Sequence, residues 1–391
     1  MSLKITKKNK ILLMLYFLVM TLEESNYGLI SGFDTLLSAA RLGILLVCMI
    51  LIVLENEKNK ESVFVFGMLF LFFSMLNLFF SGGGIRFLII FCLILYASTL
   101  PMEEIFDACF LSLSVGTIFV MLSSACGIIQ DSVNTRLVDT NYSKVLSGMY
   151  VRHSYGFQMS NQIPFILCYL YLFKLMTTNG RARKGWSVTF QILNIIIFKL
   201  CGSRVIFLTI ILIGILQVVI KKEWHLPAIL CGIFPGLTLG CLCGTFLFGK
   251  NMMNPVNIML NFRFSNIYQT MQVYGLHLIG NESSVGTLDS LNGVVVDNGY
   301  VMLFLQKGIL IGSLIILFWT WLLYKSLKNN NKYLTICLVT LAVLNVIDYH
   351  FISYLNIPFY CFLMQAGYVQ DIWKKIRNVD INRGGKYANG L

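Results

Sequence analysis

The feature that most limits this chain is a succession of apolar runs, each up to about 18 to 25 residues, divided by short basic loops. Wound as a helix at about 1.5 Å per residue, such a run reaches across the roughly 30 Å of hydrocarbon in a bilayer. A backbone in lipid must satisfy its own N–H and C=O groups, and runs of this kind do so only as helices. Of the 391 residues 57% are hydrophobic and 12% charged, too few charges to clothe a water-soluble body of that size. The expected fold class is all-α: a polytopic helical membrane protein, one integral membrane domain over residues 1–391.

The runs are Ile11–Thr21, Leu36–Leu54, Val63–Phe80, Ile85–Leu100, Ala108–Ile129, Ile163–Met176, Val188–Leu200, Val205–Ile220, Leu226–Phe248, Gly299–Tyr324, Tyr333–Tyr349 and Tyr354–Trp373, about twelve spans. Lysine clusters at Lys7–Lys10, Lys58–Lys60, Lys221–Lys222 and Lys325–Lys332 fall on one side by parity, which makes that side cytoplasmic, with both termini on it. The expected location is the cytoplasmic (inner) membrane. Two long polar stretches, 130–162 and 250–298, then face outside. The net charge of +12 sits mostly in the short inner loops, so it reads as membrane orientation and not as nucleic-acid binding. Most of the eleven cysteines lie inside apolar runs, where they serve as small hydrophobes; no C-x-x-C pair points to a disulfide or metal.

The arginines depart from that pattern. Of ten, six lie at or near the outer ends of the spans: Arg41, Arg86, Arg136, Arg152, Arg204 and Arg263. Lysine and arginine obey the same orientation rule, so the split needs another cause. A guanidinium offers a flat fork of donors that grips phosphate bidentately and keeps its charge. The set points to an anionic ligand, a phosphate or pyrophosphate; the competing explanation is pairing with outer carboxylates or lipid headgroups. Arg263 is the sharpest case. Asn254–Pro255 reads as a cap and first helical residue, Val256, Leu260, Ile267, Met271 and Tyr274 keep helical spacing, and Gly275 reads as the stop. Arg263 lies on that apolar face and needs a carboxylate or a ligand as partner.

Four segments, in order, carry a resemblance: VRHSYGFQMSNQ (151–162), CGSRVIFL (201–208), NFRFSNIYQTMQVYGLHLIGNESS (261–284) and VVVDNGYVMLFLQKGIL (294–310). Together they resemble the Wzy-type O-antigen and capsular polysaccharide polymerases, relatives of the O-antigen ligases. The positions that match are Arg152, Gly156 and Asn161; Ser203 and Arg204; Arg263 and Gly280; and Asp297, Asn298, Tyr300 and Gly308. LIGNESS lacks a second loop glycine near Asn281. The resemblance covers about residues 60–325 and extends to the ends only in hydropathy.

It implies transfer of a glycan chain from undecaprenyl pyrophosphate to the terminal hydroxyl of a second lipid-linked repeat unit at the outer face. It also implies the company of a chain-length regulator and a flippase. Fixed positive charge would stabilise the departing pyrophosphate, so no metal or other cofactor is expected. Expected catalytic residues are Asp297, Arg263 and Arg204; expected substrate-binding residues are Arg152, Arg86, Arg41, Asn161, His277, Asn298 and Tyr300. The acceptor hydroxyl needs a proton acceptor, for which Asp297, His277, Glu282 and Asp348 are candidates, Asp297 first. Asp297 also reads as a helix cap. The rivals are a glycan ligase of the same superfamily and a flippase or transporter, which would show charges at mid-bilayer in broken helices.

Overall fold

The computed structural model describes residues 2–55, 75, 84–97, 100–136, 150–177, 184–220, 228–259, 262–280, 298–347 and 351–362. Within them the chain is helical apart from one short hairpin. The elements are α1 (Ser2–Glu23), α2 (Phe33–Glu55), α3 (Gly84–Ala97), α4 (Met102–Ala125), β1 (Val133–Arg136), β2 (Tyr150–His153), α5 (Gln162–Thr177), α6 (Lys184–Cys201), α7 (Arg204–Val219), α8 (Ile233–Phe248), α9 (Pro255–Met259), α10 (Arg263–Tyr274), α11 (Gly299–Lys328), α12 (Lys332–Ile347) and α13 (Ile357–Tyr360).

Four stretches, Phe33–Ile52, Met102–Ala125, Leu230–Phe248 and Gly299–Lys328, are long and apolar enough to cross a membrane; Gln162–Thr177, Gly185–Cys201, Arg204–Val219 and Lys332–Val346 are shorter apolar helices. Bands of large apolar side chains stay exposed, among them Leu42, Leu46 and Ile50 on α2, Val115, Ile118 and Leu122 on α4, and Ile192, Ile195 and Ile196 on α6. Apolar faces of that extent on a water-soluble protein would associate; lipid is the solvent that leaves them stable. The chain is a helical membrane protein.

Several runs are longer than the sequence suggests. The first is a full helix from Ser2, and the fifth begins at Met102, taking in Glu103, Glu104 and Asp107. Acids in a first turn suit the helix dipole. Lys10 on α1 also meets Glu104 and Asp107, each at 2.6 Å. The pair Val188–Leu200 and Val205–Ile220 is a tight hairpin, α6 and α7, joined through Gly202 and Ser203.

Packing runs from α2 through α1 to α4 and α5, then to the α6–α7 hairpin, α12, α11, α8 and α10. Aromatic rings fill the joints. Tyr171 stacks on Phe190 at 4.6 Å between α5 and α6, and Trp319, fully buried, donates to the Tyr360 hydroxyl at 3.1 Å. Helix ends meet in a consistent sense. The end of α1, the start of α2, the end of α4, the hairpin and the start of α5 gather on one side, where Gln158 donates to the carbonyls of Glu23 and Ser25 at 3.2 Å each. Towards the other side, Lys10, partway along α1, meets the acids at the start of α4, and Lys332 at the start of α12 donates to the Gln217 carbonyl near the end of α7 at 2.8 Å.

Candidate functional site

The side that gathers the loops carries most of the described polar network. β1 and β2 pair antiparallel, with Asn134 opposite Arg152 and Val133 opposite His153. Successive strand side chains leave on opposite faces, so Arg152 and His153 serve different neighbours. Arg152 donates from Nη2 to the Gly202 carbonyl at 2.9 Å, in the α6–α7 turn. Two residues on, Arg204 opens α7 and is exposed, with no hydrogen-bond or ion-pair partner among the described residues. Ser203 precedes it at the cap position and makes no side-chain cap bond. A cation at the first position of a helix faces the positive end of the dipole, costing about 0.3–1 kcal/mol, and a bound anion would reverse that sign.

His153 Nδ1 lies 2.7 Å from Asp131 Oδ2. The other oxygen, Oδ1, accepts from the Tyr155 N–H at 2.7 Å, the Ser154 N–H at 3.0 Å and the Ser154 hydroxyl at 3.2 Å. Burial on its own would raise the Asp131 pKa; the hydrogen bonds from His153, Tyr155 and Ser154 outweigh it and hold the carboxyl below its ordinary value. Tyr155 takes φ 49°, uncommon for a residue with a side chain. Gly156 follows at φ 88°, pressed on the end of α4, where a Cβ would stand 2.7 Å from Ile129 Cδ1. His153 and Arg152 are adjacent on β2, so the carboxylate–histidine pair and the α6–α7 turn are held by neighbouring residues of one strand. Nothing local in the sequence links Asp131 to His153; the hairpin brings them together.

No protein-family model matches the chain, and neither does any curated protein or solved structure.

Arg41 is engaged elsewhere. Its Nη1 donates to both Glu23 oxygens, at 2.7 and 2.8 Å. Its charge is balanced within the protein, the carboxylate alternative of the sequence reading. Arg86 is the third residue of α3 and Arg136 the last of β1. Asn161 is half-buried where α5 opens, its carbonyl accepting from the Phe165 N–H at 3.1 Å.

Around Arg263 the structure corrects the sequence reading. α9 starts as expected, with Asn254 Oδ1 accepting from the Val256 N–H at 3.0 Å, and α10 ends at Gly275, φ 68°. The expected single helix is two. Phe262 turns left-handed at φ 60°, and α10 begins at Arg263. The buried Asn257 is the cause: its Oδ1 accepts from the Ser265 N–H at 3.1 Å, its amide donates to Ser265 Oγ at 2.9 Å, and its carbonyl accepts from the Phe262 N–H at 2.8 Å. A short polar side chain that serves the backbone in this way competes with helix continuation. Arg263, half-buried, thus repeats the setting of Arg204, first in a helix whose cap residue makes no side-chain bond.

The next group lies on α11. The cap is Asn298, not Asp297: Asn298 Oδ1 accepts from the Val301 N–H at 3.1 Å. Tyr300 is fully buried and its hydroxyl donates to the Ala342 carbonyl at 3.0 Å, so it anchors α11 to α12. His277 is exposed, with Nε2 2.7 Å from the Tyr274 carbonyl at the end of α10. α11 breaks at Gly308 (φ 79°, ψ 172°), and the 277–280 segment lies in the break. The carbonyls of His277 and Leu278 accept from the N–H groups of Ile309 and Leu310, at 2.9 and 3.1 Å. Gly280 and Gly308 pass so close that a Cβ on either would overlap backbone of the other segment. Beside the break sits Lys307, 1% exposed, within an apolar helix. A lysine inside an apolar run is the signal in the sequence that marks this position. Asp297, Glu282 and Asp348 lie outside the described residues.

Proposed function

We propose that this chain is a polysaccharide polymerase of the outer face of the cytoplasmic membrane, joining undecaprenyl-pyrophosphate-linked repeat units with release of lipid pyrophosphate. In this reading the chain has about twelve spans with both termini inside, as the run and lysine pattern of the sequence suggests. The observation that carries the proposal is the α6–α7 turn. There Arg152 reaches the Gly202 carbonyl while Arg204 stands exposed on an uncapped helix start, with no ion-pair partner among the described residues. Fixed donors and unsatisfied helix N–H groups held together suit an oxyanion that gains charge as a bond breaks. The four sequence segments that resemble the polymerases run through this turn, α10 and the break in α11. Arg263 supplies a second guanidinium of the same local design.

The competing activity is movement of the lipid-linked repeat unit across the bilayer. One observation favours it: a buried lysine at a break in a membrane helix, the arrangement transporters use for charged cargo. Deleting the gene and resolving the glycans by length separates the two. Single repeat units on the outer leaflet support the polymerase; lipid-linked units retained on the inner leaflet support the flippase; full-length polymer left unattached at the surface supports a ligase. Arg204→Ala in an otherwise intact chain is expected to reproduce the deletion. A normal ladder from that variant would remove the arginine mechanism.

A further inference from the structure

We infer that His153, held by Asp131, is the proton acceptor for the attacking hydroxyl; this rests on the glycosyl-transfer reading above. A carboxylate only accepts, so at 2.7 Å from Asp131 Oδ2 the Nδ1 of His153 carries the hydrogen. In the neutral ring the lone pair is then on Nε2, which has no hydrogen-bond partner among the described residues. The side chain is 42% exposed, so Nε2 can meet an incoming substrate. His277, the other described histidine, has its Nε2 on the Tyr274 carbonyl.

The mounting is rigid. Asp131 is fixed through Oδ1 by two backbone N–H groups and a hydroxyl, the chain at Tyr155 takes a left-handed turn to supply one of them, and the His153 and Tyr155 rings lie 5.6 Å apart. A surface ion pair needs none of this apparatus. The neighbouring residue on the strand, Arg152, reaches the turn that bears Arg204, so base and cationic turn stand on either side of one strand. In the step, the acceptor oxygen gives its proton to Nε2 and bonds the anomeric carbon. The bond from that carbon to the pyrophosphate oxygen breaks, and the electron pair leaves with the lipid pyrophosphate. Asp131 steadies the imidazolium and is a positioning residue.

The test uses the full chain in lipid vesicles, with lipid-linked repeat units extracted from deletion cells as both donor and acceptor. His153→Ala is expected to lower kcat by about 10² to 10⁴ fold, leave KM and the melting temperature unchanged, and recover in part when imidazole is added. Asp131→Asn is expected to lower kcat less and to gain nothing from imidazole. Wild-type kcat in His153→Ala overturns the inference, as does a loss expressed in KM or melting temperature alone, or full activity in His153→Gln, which retains a donor to Asp131 without a base. If the wild-type chain elongates nothing, and deletion leaves the cellular ladder intact, the glycosyl-transfer reading itself fails and the inference goes with it.

Discussion

The α6–α7 turn and the break in α11 are both places where a helix starts or stops within this bundle, yet they are built in opposite ways. At the turn, side chains do the holding: Arg152 on a carbonyl, Asp131 on His153 and two N–H groups, with Arg204 left exposed. At the break, backbone holds backbone, glycine against glycine, and the charge that is present, Lys307, is buried. The first keeps donors available to something outside the protein. The second has used its donors internally. A polar group needs water, a partner or a ligand, so the exposed Arg204 remains open to water or a ligand, while at the break the backbone groups are locked to each other.

That contrast is open to attack, beginning with its largest consequence. Arg204→Ala should lower polymer synthesis about 10²–10³ fold, or roughly 3–4 kcal/mol of transition-state stabilisation, with little change in melting temperature. Arg204→Lys should recover only part. If melting temperature falls instead, the turn is structural and the two regions are alike. Gly308→Ala should do the reverse, costing on the order of 3 kcal/mol of stability through a Cβ driven into backbone at positive φ, as read by thermal unfolding in detergent. A stable, unchanged Gly308→Ala protein would mean the break is loose.

Glu23→Gln tests whether Arg41 stands with the exposed Arg204 or with the arginines engaged inside the fold. Both partners are about a quarter exposed, so the loss should be about 1–2 kcal/mol of stability after allowing for solvent screening, with synthesis retained. Loss of synthesis without loss of stability would return Arg41 to the substrate. Asn298→Ala should cost about 1 kcal/mol as a lost helix cap; an activity loss well beyond that would show Asn298 touching substrate. The smallest effect is a pH dependence. Folding lowers the Asp131 pKa. Asp131 therefore adds stability above the pKa it has when unfolded, about 3.9, and this is lost as pH falls through the lower folded value. Melting curves taken from neutral pH to below 4 should converge for wild type and Asp131→Asn; parallel curves would mean the carboxylate is not held as described.

Much of this was legible in the chain. Apolar length announced helices, Asn254–Pro255 and Gly275 marked the ends of the α9–α10 segment, and the tight hairpin before Arg204 showed as a basic interruption between two runs. Gly280 and Gly308 were singled out by resemblance, and their close approach supplies the physical reason for glycine at both. What stayed hidden depends on partners distant in sequence. Glu23 reaches Arg41 only once α1 lies on α2, and Asp131 reaches His153 only across the hairpin. Asn257 splits an otherwise periodic helix through bonds to Ser265 that periodicity cannot register. Asp297 and Asn298 are both good caps by type, and only the helix start distinguishes them.

The clasp at Gly308 also bears on how the protein is made. Two amide groups set free within an apolar helix would each cost several kcal/mol if they met lipid bare. Their acceptors, at His277 and Leu278, come earlier in the chain than the amides they serve. A ribosome therefore delivers the acceptors first, and α11 can enter the bilayer with its vulnerable point already matched, without waiting for anything still to be translated.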